Sequence, residues 1–100
     1  MKRPIRMGAA ASAELYEAVR WYEEQRPGLG SELLDAVSGT LNFASNNPLA
    51  GAAISSDART RRLIVRRFPY QIVYRMRREE ILIVAVAHFK RRPDYWKDRR

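Results

Sequence analysis

Residues 81–88 read ILIVAVAH, a nearly unbroken apolar run. A strand with one wet face alternates apolar and polar side chains, so continuous apolarity from Ile81 to Ala87 describes a strand buried on both faces. The run is far short of the roughly 20 residues that a membrane-crossing helix needs. The rest of the chain must therefore cover this strand, which is expected to lie at the centre of a sheet with helices packed on one side.

The preceding residues supply its neighbours. In 70–75, Tyr70, Ile72 and Tyr74 fall on one face and Gln71, Val73 and Arg75 on the other, while 61–68 interleaves apolar residues with arginine. Arg77-Arg78-Glu79-Glu80 is a polar turn. Three sequential strands with short links make an antiparallel meander.

The first half has a different period. From Ala9 to Gln25, Ala11, Leu15, Ala18, Val19 and Tyr22 recur at helical spacing, with Ser12 as the expected N-cap and Arg26-Pro27-Gly28 as the stop. A second helix is expected after Gly30, capped by Ser31, with the stripe Leu34, Val37, Leu41 and Ala44 ending at Asn46-Asn47-Pro48. So short a link forces an antiparallel helical hairpin. Trp21, Tyr22 and Phe43 lie on or beside the stripes and read as packing aromatics. Residues 2–7 suit a short first strand limited by Pro4, and 49–60 lacks any period and reads as a loop. The expected class is α+β: a short first strand, then a helical hairpin packed on a mainly antiparallel sheet, all in one domain over residues 1–100.

Formal charge is +8, and all of the excess lies in the second half: residues 1–58 carry −2 and residues 59–100 carry +10. The hairpin is acidic, with Glu14, Glu17, Glu23, Glu24, Glu32 and Asp35 against Arg20 and Arg26. A field divided in this way attracts nucleic acid, a ribosome or an acidic protein. The chain has no cysteine and one histidine, so it offers no disulfide scaffold, no thiolate metal site and no glycine-rich phosphate loop; no cofactor or metal is expected. The amino terminus lacks a secretory apolar block, and a cytoplasmic location away from membranes is expected.

Four stretches in this order, WYEEQRPGLG at 21–30, Asn47-Pro48, RRLIVRRFPYQIVYR at 61–75 and ILIVAVAHFKRRPDYW at 81–96, resemble the RelE/ParE superfamily of type II toxin–antitoxin (plasmid stabilisation) modules. The resemblance spans nearly the whole chain. It implies a growth-arresting toxin held by a cognate antitoxin, with one of two actions: inhibition of DNA gyrase, or metal-independent cleavage of messenger RNA on the ribosome.

Cutting RNA without metal requires a base, an acid and cations at the phosphate. His88, Arg91 and Tyr95 are the candidates for that chemistry; Arg91 and Tyr95 match the carboxy-terminal motif of the ribonuclease members. Arg62 matches a basic residue on their first meander strand, and Arg61, Arg66, Arg67 and Arg92 complete the expected target-binding set. One departure is evident. Where ribonuclease members commonly carry an arginine after the tyrosine of the second meander strand, this chain has Gln71 after Tyr70, and an amide cannot offset developing charge. Under the gyrase reading the same surface binds a protein target and no proton moves. His88 is equally suited to capping the sheet, and Tyr95 and Trp96 to folding back over it.

Overall fold

The computed structural model describes residues 2–54 and 57–99. The elements are β1 (Ile5–Met7), α1 (Ala9–Gln25), α2 (Leu29–Asn46), β2 (Ala52–Ile54), β3 (Asp57–Ile64), β4 (Tyr70–Met76) and β5 (Ile81–His88). They form the α+β arrangement expected: a helical hairpin against a five-stranded sheet of order β1-β5-β4-β3-β2. β1 runs parallel to β5, and every other pairing is antiparallel. The apolar strand β5 is interior, but β4 takes the middle place, because β1 pairs on the outside of β5 and β2 adds to β3.

α1 has the expected bounds but not the expected cap. Gly8 is its N-cap, and the Ser12 amide already donates to the Gly8 carbonyl at 2.9 Å, so Ser12 lies within the first turn. Gly8 also donates to the Ile83 carbonyl, and a Cβ there would sit 2.8 Å from that oxygen; only glycine lets the chain leave β1 so close to β5. The hairpin turns at Gly28, whose φ of 92° is natural for glycine alone. Glu23, at the end of α1, reaches across the turn and accepts from the amides of Gly28 at 2.9 Å and Gly30 at 3.0 Å. That carboxylate supplies the start of α2 with the acceptor expected of Ser31.

The buried stripe of α2 is Leu33, Val37, Thr40 and Ala44; Leu34 is 43% exposed. α2 begins three residues earlier than a cap at Ser31 implies, and in an apolar pair such as Leu33-Leu34 sequence spacing does not say which member faces the sheet. Tyr22 packs on the core, whereas Trp21 and Phe43 are 55% and 48% exposed and are not the core aromatics expected. The expected loop over 49–60 contains β2 and the start of β3; Ser55 and Ser56 lie outside the described residues. A register shift between Ala53 and Ile54 explains the missing period. β3 stops at Ile64, and Arg67 takes a φ of 72° in the turn before β4.

Two apolar clusters lie on opposite faces of the sheet. The larger joins Ala11, Ala18, Leu33, Val37 and Ala44 of the helices to Ile72, Tyr74, Ile81, Ile83 and Val86. The smaller sets Trp96, folded back as expected, on Val73, Leu82, Val84, Ala85 and Ala87. β5 supplies both by alternation, which is interrupted once in its pairing with β4: Val73 faces Ala85, and Tyr74 faces Ile83. Val84 is thus an extra residue, and Val84 and Ala85 share a face before alternation resumes. Tyr74 is fully buried, yet its hydroxyl donates to the Pro48 carbonyl at 2.8 Å and accepts from the Gly51 amide at 3.0 Å. Its polar end is therefore satisfied while it ties the α2–β2 connection to the sheet.

Candidate functional site

At the end of the sheet where β4 begins and β5 finishes, residues 89–99 fold beneath the face opposite the helices. Between them and the sheet lies a hollow of about 220 Å³, walled by Arg62 and Gln71 from the strands and by His88, Arg91, Arg92 and Tyr95 from the end of β5 and the segment after it. Five of the eight residues singled out in the sequence therefore converge. Arg62 donates to the Gln71 amide oxygen at 3.3 Å, so the amide at the departure position braces an arginine.

The other three are elsewhere. Arg61 points to the helix side and donates to the carbonyls of Leu49 and Gly51 at 3.1 and 2.8 Å, holding the α2–β2 connection. Arg67 pairs with Glu32 of α2 at 2.8 Å, and this hydrogen bond holds the Glu32 carboxyl below its ordinary range. Arg66 lines a different hollow beside Phe43 and Ile64. Alternation on β3 and the turn after it scatter these side chains, so a basic run in sequence is not a basic face.

The proton-transfer candidates are already engaged. The Tyr95 hydroxyl donates to Glu14 Oε2 at 2.6 Å. Arg99 donates to both oxygens of that carboxylate, at 2.9 and 3.1 Å, and Oε1 also accepts the Val86 amide at 3.0 Å. Burial, reinforced by the hydrogen bond to Glu14, pushes Tyr95 up to about 12. The same carboxylate raises Arg99 above its ordinary value. Arg91 and Arg99 lie over the Tyr95 ring, with guanidinium carbons 4.0 and 4.9 Å from its centroid. His88 packs edge-on against Tyr70, and its Nδ1 accepts the Lys90 amide at 3.0 Å. That bond places the proton of the neutral ring on Nε2, which is then a donor.

Glu14 and Arg99 were invisible to sequence reasoning: Glu14 reads as one charge on the wet face of α1, and its partners lie more than 70 residues away. Among the described residues, no group of three histidine, aspartate or glutamate side chains is placed to hold a metal, and no helix is long and apolar enough to cross a membrane.

A helical hairpin on a mixed sheet, with a cationic hollow under a folded-back basic segment, defines the class: a small α+β protein with a concentrated positive surface at one end of its sheet. The sequence profile described as "ParE toxin of type II toxin-antitoxin system, parDE" matches residues 5–93, and the chain belongs to that family. It is similar in fold to a solved chain titled "Chromosomal ParDE TA system from P. aeruginosa", with a TM-score of 0.74 at 18% identity, covering 87% of this chain and 96% of that one. No curated protein matches the sequence. The chain is thus a ParE-like toxin of a type II toxin–antitoxin system, and a cognate antitoxin is its partner.

Proposed function

We propose that this toxin arrests growth in the cytoplasm by binding DNA gyrase, with no bond-making chemistry of its own. The observation that carries this reading is the Tyr95 hydroxyl held 2.6 Å from Glu14. An acid for RNA cleavage must hand its proton to a leaving oxygen, but this proton is shared with a carboxylate that Arg99 already neutralises. With His88 Nδ1 occupied and Gln71 in place of a cation, the hollow has neither a ready base nor a full set of charges for a phosphoryl transition state. Its remaining cations, Arg62, Arg91 and Arg92, suit carboxylates or phosphates of a target surface.

The test is to add purified toxin to a gyrase supercoiling assay and, separately, to translating ribosomes. Supercoiling should fall, antitoxin should restore it, and Tyr95→Phe should retain the effect. A second reading, ribosome-dependent RNA cleavage, draws on the convergence of His88, Arg62, Arg91 and Arg92. Transcripts cut on the ribosome, with activity falling more than a hundredfold in His88→Ala and Tyr95→Phe, would establish it instead.

A further inference from the structure

α2 lies on the sheet with one flank turned toward β3. Along that flank Asp35, Gly39 and Phe43 recur at four-residue spacing, so they form one row on the helix. Facing the row are Leu63 and Ile64, the last two residues of β3, and Arg66 from the turn after it. Together they wall a hollow of about 510 Å³. Ile64 is 64% exposed and the Phe43 ring is half-exposed, so the middle of the patch is apolar yet in contact with water.

The sheet is open at the same place. β2 covers β3 no further than the pairing of Ala52 with Arg62. The Val65 amide donates to the Tyr70 carbonyl inside the sheet, and the alternation of an antiparallel strand then turns the amide and carbonyl of Ile64 outward. An apolar strand edge left in this state is a ready place for another chain to pair.

Shape and charge select the occupant. Arg67 pairs with Glu32, which sets the turn after β3 level with the first turns of α2, so Asp35 and Arg66 stand on opposite banks of the hollow. Among the described residues neither has an ion-pair partner. A Cβ on Gly39 would meet nothing within 4 Å, which leaves a recess on the helix bank, while Ile64 projects from the strand bank. A polyanion or an acidic segment is opposed by Asp35 and a basic one by Arg66; an apolar partner leaves both charges unmatched. A second copy turned over about an axis along the hollow brings its β3 onto this α2 and its α2 onto this β3. It then answers each charge with the opposite one and each recess with a projection. The formal charge of +8 opposes such pairing at long range, but screening limits that penalty to about 8 Å at physiological ionic strength, and the patch itself is neutral.

We infer that the α2–β3 flank is a two-fold interface between copies of this toxin, in which each Asp35 pairs with the other copy's Arg66 and each Ile64 side chain seats in the other copy's Gly39 recess. The inference does not depend on the gyrase reading.

The test is sedimentation velocity on the full-length toxin, freed of antitoxin, over a micromolar concentration series. The wild type should sediment as a dimer at the upper end. Asp35→Arg and Arg66→Asp each set like charges together twice across the axis, and each should raise the dimer dissociation constant at least tenfold. Ile64→Asp, an exposed change, should do the same. Mixed in equal amounts, the Asp35→Arg and Arg66→Asp proteins should regain the dimer, because both contacts between unlike variants join opposite charges. Arg78→Asp makes the same change of net charge at the β4–β5 turn and should leave the constant within threefold. Unchanged circular dichroism verifies that each variant is folded. A wild type that stays monomeric throughout the series, or a mixture as monomeric as its two components, would overturn the inference. So would a monomeric toxin whose affinity for the purified antitoxin falls tenfold in Ile64→Asp, which would give the patch to that partner. Supercoiling inhibition by the wild type reports on the gyrase reading separately.

Discussion

The two faces of the sheet are covered by different physics. On one, two helices of 17 and 18 residues press aliphatic side chains onto β4 and β5, and the core there has many equivalent contributors. On the other, residues 89–99 lack long regular structure and are held by one ring, Trp96, together with the ion cluster of Glu14, Tyr95 and Arg99. Arg75 helps by donating to the carbonyls of Lys97 and Arg99. A layer built from many apolar contacts fails with the whole molecule, whereas a layer held by a few specific bonds can open alone. The cationic hollow lies under the second kind of layer.

The largest expected effect is on the helix-covered face. Leu33→Ala deletes a fully buried side chain and should lower global stability by about 2–5 kcal/mol, read as a shift in the urea midpoint. If the loss were below about 1 kcal/mol, the helical layer would not be the main stabiliser. On the opposite face, Trp96→Ala should be felt locally: hydrogen exchange in residues 89–99 should quicken well before global unfolding, with a smaller shift in the urea midpoint than Leu33→Ala gives. Equal global losses in the two variants would erase the contrast.

Tyr95→Phe removes one donor from a carboxylate that keeps Arg99, and a cost of about 1–3 kcal/mol is expected for a hydrogen bond to a charged group. Its pH dependence is more diagnostic. Because Tyr95 is raised from 10 to about 12 in the folded chain, the stability it contributes is complete below pH 10 and is lost as pH climbs towards 12. Burial also raises Tyr22, Tyr70 and Tyr74, so the wild type should lose stability steadily over that window, and Tyr95→Phe should lose visibly less. Identical alkaline melting curves would place the Tyr95 hydroxyl outside the cluster.

The smallest effect is a gain. A Cβ on Gly39, within α2, would meet nothing within 4 Å, so Gly39→Ala should stabilise the helical layer by about 0.5–1 kcal/mol. Any destabilisation would mean that a neighbour crowds that side of α2.

The sequence made the helical face more legible than the other. The bounds of α1, the hairpin reversal at Gly28 and the strands β4 and β5 follow from local period and turn chemistry, which act within a few residues. The choice of Leu33 over Leu34 did not follow, because it depends on the angle at which α2 meets the sheet. In the candidate site, the sequence singled out all eight residues as one set; the fold gathers Arg62, His88, Arg91, Arg92 and Tyr95, while alternation and a turn carry Arg61, Arg66 and Arg67 elsewhere. The state of Tyr95 was beyond reach, since it is decided by Glu14 from the far end of the chain.

The doubled position at Val84 and Ala85 gives β5 a handedness of its own. Upstream of it, odd-numbered side chains look toward the helices; beyond it, even-numbered ones do, His88 among them. Excising one of these two residues would restore plain alternation and leave the imidazole against Tyr70, whereas adding one more residue there would carry the imidazole to the opposite face of the sheet.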